Sequence, residues 1–299
     1  MRRHSCLRPV GPVGIAVKLG FNLLLWTIHV TDDHLGILQK LKTTGYDGVE
    51  IPMFAGDVAH YRALGRKLAD LGLEATGIGV MPGGGKSCVS ADPREREAAL
   101  DHLKWLIDCT EALGGKLVSG PFHQPLGEFT GLPPAEAEMA RVADVHKQAA
   151  RHAAAAGIDM AVEPLNRFEC YILNTAAAAA DLTARVNEPN YGYLYDTFHL
   201  NIEENSLPDA IAQTAQAIKH VHISENNRGV PGAGHIDFAA VFRALRKVGY
   251  DGWMTVEAFG SAMPDLAAAT KIWRPLFASP EAVYEGAYTL MREGWDSNL

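Results

Sequence analysis

Four successive apolar runs in the second half of the chain carry a metal-ligating side chain at or near their ends. The four residues are Glu163, Asp196, His222 and Glu257. Three carboxylates and an imidazole held together away from water would repel one another and lose hydration unless a cation neutralised them. Oxygen ligands with a single nitrogen suit Mn²⁺, Mg²⁺ or Co²⁺ better than a thiolate-preferring ion. We therefore predict a site for one divalent metal.

Each of these residues also has a simpler interpretation. A carboxylate that ends a strand is often only a turn residue or a helix N-cap. His220 and His222 are two residues apart, so they share one face of a strand, and either could be a hydrogen-bonded core histidine. The metal hypothesis depends on four such residues occurring on four consecutive strands whose ends meet in space.

The elements that would bring these residues together are eight short β-rich runs, each followed by a segment of helical period. We predict strands at 19–26, 48–52, 74–80, 116–120, 158–163, 191–196, 220–224 and 253–257. The connections are too long for hairpins, which favours parallel strands joined by helices. Eight such units predict an α/β fold, a single-domain (β/α)₈ TIM barrel over residues 18–299, with functional groups at the C-terminal strand ends.

An open doubly wound sheet is the competing architecture. Its dinucleotide-binding form needs a GxGxxG motif after the first strand, and this chain has no glycine there. Gly85-Lys86-Ser87 resembles the end of a phosphate-binding loop, but Val80 stands where the leading glycine belongs. The sequence favours a flexible active-site loop at this position.

Composition narrows the possible classes of function. The 299 residues include 27 Lys and Arg against 35 Asp and Glu, a formal charge of −8, which disfavours binding to nucleic acid or to an anionic membrane. Four scattered cysteines without a CxxC pair fit a reducing cytoplasm. No apolar run approaches the ~20 residues that span a bilayer. Residues 1–17, interrupted by proline and glycine, are predicted to form a flexible N-terminal extension.

Four sequence segments resemble one known family. They are EPLNRFE at 163–169, DTFHLNIEE at 196–204, HVHISEN at 220–226 followed by Arg228-Gly229, and VEAF at 256–259. Together they resemble the ketose 3-epimerases, a group that includes D-tagatose, D-psicose and L-ribulose 3-epimerases within the xylose isomerase-like TIM-barrel superfamily. The likeness is strongest over residues 157–259. It implies an isomerase that epimerises a free ketose at C3 and forms a homodimer or homotetramer.

The resemblance also implies roles for individual residues. Glu163, Asp196, His222 and Glu257 would hold one divalent metal, typically Mn²⁺, while Glu169, His199 and Arg228 would bind the O1–O3 end of the sugar. We expect Glu163 and Glu257, on strands five and eight, to act as the two acid/base groups on either face of C3. Trp26 and Phe259, at other strand ends, are predicted to form an apolar wall.

The N-terminal half departs from the family pattern. Asn22 stands where D-tagatose and D-psicose epimerases have an aromatic residue, and the loop at 121–124 also differs, so the L-ribulose branch is the nearest. An aldose–ketose isomerase, similar to hydroxypyruvate or xylose isomerase, is the first alternative. A metal-dependent abasic-site endonuclease would be expected to have more histidine ligands and a basic groove. A non-catalytic sugar-binding barrel is the third alternative.

Overall fold

The computed structural model describes residues 17–297, in which eight parallel strands close into a barrel. Each strand pairs with the next, and the first pairs with the last. The strands are β1 Lys18–Asn22, β2 Gly48–Pro52, β3 Glu74–Ile78, β4 Leu117–Gly120, β5 Asp159–Val162, β6 Tyr191–Asp196, β7 Ile218–Ile223 and β8 Trp253–Val256. The predicted (β/α)₈ barrel is confirmed. The predicted extension at 1–17 lies outside the described residues except for Val17.

At least one helix follows each strand. The helices are α1 Leu35–Thr44, α2 Val58–Asp70, α3 Pro93–Leu113, α4 Glu136–Ala155, α5 Ala176–Val186, α6 Thr197–Glu203, α7 Leu207–Thr214, α8 Phe238–Lys247, α9 Pro264–Thr270 and α10 Pro280–Asp296. Side chains of Asp57, Asp92 and Thr175 accept a backbone N–H at the start of α2, α3 and α5. These N-caps satisfy amides that have no partner within the helix, so they fix where each helix begins.

The helices bury one apolar stripe each against the outside of the barrel. In α8 this stripe consists of Phe238, Val241, Phe242 and Leu245, which follow the i, i+3, i+4, i+7 spacing of one helical face. All four are buried. The main core therefore forms a layer between the strands and the helices, and the barrel interior is left to the inward-facing strand residues.

The first strand is shorter than predicted. It ends at Asn22 rather than at Trp26, because Leu23–Leu25 form a single 3₁₀ turn. The Asn22 side chain caps this turn by accepting the Leu24 N–H at 2.9 Å. The backbone consequently bends away from the strand direction before it reaches Trp26.

Gly120 ends β4 in a conformation that favours glycine. Its φ is +128°, and a Cβ there would lie 2.0 Å from the carbonyl oxygen of Gly79. The Gly120 carbonyl accepts the N–H of Glu163 at 2.9 Å. This close approach therefore also fixes the backbone at the end of β5.

Within the described residues, no helix is both long and apolar enough to cross a membrane. Cys88, Cys109 and Cys170 are free and buried.

Candidate metal centre and substrate cavity

The structure brings the four predicted ligands together at the C-terminal end of the barrel. Glu163 and Glu257 directly follow β5 and β8, Asp196 ends β6, and His222 lies one residue before the end of β7. Asp196 and His222 are direct register partners on neighbouring strands. All four side chains are buried, and one ligand atom from each lies within 4.8 Å of the others.

Unpartnered atoms in this cluster fit a cation. Glu163 Oε1 and His222 Nδ1 are buried without a hydrogen-bond partner. His222 Nδ1 lies 3.5 Å from Asp196 Oδ2, 3.6 Å from Glu257 Oε2 and 4.0 Å from Glu163 Oε1, distances at or beyond the limit of a hydrogen bond. Buried polar atoms are rarely left unpaired. One nitrogen and three carboxylate oxygens within 4.8 Å of one another form a donor set suited to a divalent metal.

The carboxylates of the cluster have different electrostatic environments. Burial, together with the nearby charges of Glu257 and Asp196, raises the pKa of Glu163 well above its usual value. Burial acts in the same direction on Asp196, but the Arg228 guanidinium and the histidines outweigh it and lower the pKa of that carboxyl. Like-charge repulsion is therefore concentrated on Glu163, which a bound cation would relieve.

Arg228 is a permanent cation that the protein itself supplies at this site. Its Nη1 donates to Glu257 Oε2 at 2.6 Å, to Ser224 Oγ at 3.0 Å and to Asp196 Oδ2 at 3.3 Å. The guanidinium also stacks on Phe259, with its Cζ 5.0 Å from the ring centroid. Arg228 adopts a left-handed backbone conformation, with φ at +64°. A strained backbone that aims a buried guanidinium at two carboxylates is typical of a functional site.

The tautomer of His199 follows from its neighbour Asn166. The backbone N–H of Asn166 donates to His199 Nδ1 at 3.2 Å, so the proton of the neutral imidazole belongs on Nε2. Burial and the Arg228 charge lower the pKa of His199 to about 3, which keeps the ring neutral. Nε2 lies 2.7 Å from Arg228 Nη2. Two donors therefore meet at this point, and an oxygen acceptor from a ligand would satisfy both.

A cavity of about 290 Å³ opens over the cluster. Its polar lining consists of Glu163, Glu169, His199, Arg228 and Glu257, and its apolar lining includes Leu24, Phe54, Leu126, Phe259 and Leu266. The size and the combination of a few convergent polar groups with an apolar wall suit a small molecule. The structure thus places the predicted substrate-binding residues Glu169, His199, Arg228 and Phe259 around one space.

Trp26 is the predicted site residue that the structure does not bring to this cavity. Its indole packs against Phe21 and Tyr284, with ring centroids 5.2 and 6.3 Å away. The early end of β1 and the 3₁₀ turn move Trp26 aside, and Leu24 lines the cavity in its place. The structure therefore places Trp26 outside the lining of this cavity.

Glu50 in β2 was not predicted and is fully buried beside the cluster. It accepts hydrogen bonds from His222 and from His220. His220, the other histidine on this face of β7, is therefore a hydrogen-bonded core residue. Burial by itself would raise the pKa of Glu50, but the two imidazoles lower it below its usual range. The sequence offered one indication of this role, because Glu50 is the only charged residue in the strand Gly-Val-Glu-Ile-Pro.

Comparison with known proteins identifies the family. A family model described as xylose isomerase-like TIM barrel matches residues 38–282. The ketose 3-epimerase of Arthrobacter globiformis is 33% identical over 290 residues, covering 93% of this chain and 96% of that protein. The L-ribulose 3-epimerase of Mesorhizobium japonicum is 33% identical over 284 residues, covering 94% and 95%. A solved L-ribulose 3-epimerase structure superposes with a TM-score of 0.87 at 30% identity, covering 94% of this chain and 95% of its own. The predicted family is confirmed: the chain belongs to the xylose isomerase-like TIM-barrel family.

Proposed function

We propose that this protein is a divalent-metal-dependent ketose 3-epimerase. The observation that carries the proposal is the four-ligand cluster, with Glu163 Oε1 and His222 Nδ1 unpartnered, at the floor of a cavity that also presents the Arg228 and His199 donors. The relatives named as ketose 3-epimerases support the same reaction. The predicted substrate is a free ketose, with L-ribulose as the first choice.

The metal would be held by Glu163, Asp196, His222 and Glu257, with Mn²⁺ as the predicted ion and Co²⁺ or Mg²⁺ as alternatives. When bound, a divalent cation supplies Lewis-acid stabilisation of negative charge that develops on the oxygens of the substrate. Without such stabilisation, a carbon-bound proton next to a carbonyl is too weakly acidic for a carboxylate to remove.

The protein's own groups perform the proton transfers. Inversion at C3 requires that the proton leaves from one face and that a proton arrives on the other. Glu163 and Glu257 both line the cavity and extend from β5 and β8, which are separated around the ring by β6 and β7. In the proposal, one carboxylate takes the C3 proton, the electron pair moves toward the C2 carbonyl, and the other carboxyl group then protonates C3. The roles exchange in the reverse direction.

In the proposal, the hydrogen-bond donors His199 and Arg228 orient the substrate. The N–H groups of His199 Nε2 and Arg228 Nη2 are 2.7 Å apart, so a single substrate oxygen beside them would accept from both. Glu169, which accepts from Asn166 Nδ2 at 2.9 Å, would accept from a sugar hydroxyl. Phe259, stacked on Arg228, would contact the carbon skeleton.

The test is to incubate the Mn²⁺-loaded protein with a panel of free ketoses in deuterated water and to locate the label. Deuterium at C3 with inversion of that centre supports the proposal. Deuterium at C1 would instead indicate an aldose–ketose isomerase, and no turnover with any ketose would refute the proposal in favour of a sugar-binding barrel. Cleavage of abasic-site DNA without ketose turnover would favour the endonuclease alternative.

A further inference from the structure

The ring of His222 is held from both sides by carboxylates. Its Nδ1 faces the metal-ligand cluster, whereas its Nε2 lies 2.8 Å from Oε2 of Glu50. The same oxygen of Glu50 accepts from Asn22 Nδ2 at 2.9 Å. Both Glu50 and His222 are fully buried. The hydrogen bond between them therefore operates without competition from water.

The second oxygen of Glu50 is also fully used. Glu50 Oε1 accepts from Ser119 Oγ at 2.9 Å, from His220 Nε2 at 2.9 Å and from Thr76 Oγ1 at 3.3 Å. A carboxylate offers about four lone-pair positions, and five donors face this one. Glu50 therefore has no capacity left to bind a metal in a separate site with the two histidines, although the three side chains lie close together.

The hydrogen bond from His222 Nε2 to Glu50 determines whether His222 Nδ1 carries a proton or a free lone pair. A neutral imidazole carries one N–H and one lone pair. An ionised Glu50 can only accept, so the proton must lie on Nε2 and the lone pair on Nδ1 points at the cluster. The hydrogen bond also fixes the rotation of the ring and makes Nδ1 a stronger electron donor.

We propose that Glu50 is a positioning residue for the metal site, which sets the tautomer and the orientation of His222 so that Nδ1 binds the cation. This inference rests on the proposed function, because it requires a metal at the four-residue cluster. Glu50 is not among the four proposed ligands and does not line the cavity. It acts from β2, on the other side of the barrel ring from the strands that supply the ligands.

The first experiment measures Mn²⁺ affinity by titration calorimetry in a graded series at Glu50. In Glu50→Gln, an amide oxygen at the Oε2 position keeps the acceptor for His222, while the amide nitrogen faces Ser119, Thr76 and His220. The variant therefore loses the charge and the hydrogen bond from His220, but not the acceptor at His222. Glu50→Met loses both charge and acceptor. We expect the dissociation constant to rise about 10-fold in the glutamine variant and about 100-fold in the methionine variant.

Ser119→Ala is the matched control. It removes one hydrogen bond from the same carboxylate, and the Ser119 hydroxyl donates to Glu50 and Gly77 rather than to His222. We expect its Mn²⁺ affinity to stay within about twofold of wild type, even if its thermal stability falls. If all three variants instead lose affinity in proportion to their loss of stability, the role of Glu50 is merely structural and the proposal is overturned. Unchanged affinity in the folded glutamine and methionine variants overturns it as well.

The second experiment uses the unaltered protein, so it does not depend on the variants folding. Histidine labelled with ¹⁵N in the Mg²⁺-loaded protein should show a slowly exchanging proton on His222 Nε2 and a metal-perturbed Nδ1. A proton on Nδ1, or coordination through Nε2, would overturn the inference. Failure of the wild-type protein to bind metal or to epimerise a ketose would instead contradict the proposed function, so the two failures are distinguishable.

Discussion

Replacing Glu163 by glutamine should remove activity and yet stabilise the metal-free protein. Glu163 Oε1 has no hydrogen-bond partner, so the amide forfeits no bond at that atom. The substitution removes one of three negative charges whose ligand atoms lie within 4.8 Å of one another. Burial and these neighbours already raise the pKa of Glu163, so its ionised form is disfavoured in the absence of a cation.

The size of the effect follows from the distances. Two unit charges at 4.8 Å repel by about 3.5 kcal/mol at an effective dielectric constant of about 20. The positive charges of His222 and Arg228 and partial protonation of Glu163 offset part of this repulsion. We expect the metal-free Glu163→Gln protein to be more stable than wild type by about 1–2 kcal/mol at neutral pH, which corresponds to a rise in Tm of about 2–4 °C.

The assay is calorimetric melting, first with a chelator and then with excess Mn²⁺, alongside ketose turnover. Wild type should gain stability on addition of Mn²⁺ because the metal binds only the folded state. The glutamine variant, which lacks one ligand charge, should gain much less. Loss of an acid/base group should lower kcat by about 10²–10⁴-fold.

Glu257→Gln is the matched comparison. Glu257 accepts from both Arg228 Nη1 and Asn22 Nδ2, so an amide in its place would set a donor against a donor. Asn22 cannot flip to relieve this, because its Oδ1 caps Leu24. We expect a comparable loss of activity but a metal-free protein that is less stable by about 1–3 kcal/mol. The reasoning is refuted if both variants shift stability in the same direction, or if Glu163→Gln is less stable than wild type.

Three further predictions concern other parts of the site. Arg228→Lys keeps the charge but cannot reach two carboxylates and an imidazole at once, so kcat/KM in steady-state assays should fall about 10- to 100-fold; an unchanged value would contradict the assigned role. In Gly120→Ala, the new Cβ would lie 2.0 Å from the Gly79 carbonyl oxygen. We expect the free energy of unfolding, measured by urea titration, to fall by about 3 kcal/mol. An unchanged free energy would refute the close approach. Mn²⁺ affinity should weaken as pH falls, because the raised pKa of Glu163 means that a proton must leave before the metal binds. Calorimetric titration at several pH values measures this effect. A Mn²⁺ dissociation constant that does not change with pH would contradict the prediction.

The clustering of the four candidate ligands was predictable from the sequence because strand ends are local features. Glu163 and Asp196 each follow a short apolar run, and in a parallel barrel all such ends meet at one rim. The number and order of strands followed from the same alternation. No knowledge of pairing register was needed for either inference.

Other features depend on the register of strands that are distant in sequence. Glu50 meets His222 from across the ring, and no local pattern relates the two positions. Asn22 was recognised as a departure from the family, but its contacts with Glu50 and Glu257 require the closed barrel. Trp26 lies away from the cavity because a single 3₁₀ turn, capped by Asn22, redirects the chain after β1.

The proposed ligands and Glu50 come from different parts of the barrel, and this has a consequence for folding. The last four strands and the residues directly after them supply every proposed ligand, whereas the carboxylate proposed to orient His222 comes from β2. A fragment spanning only β5–β8 would carry the complete ligand set with an unrestrained imidazole. We therefore expect high metal affinity only after the eight-stranded barrel has closed. Metal binding during refolding would then report closure of the barrel rather than formation of the β5–β8 half.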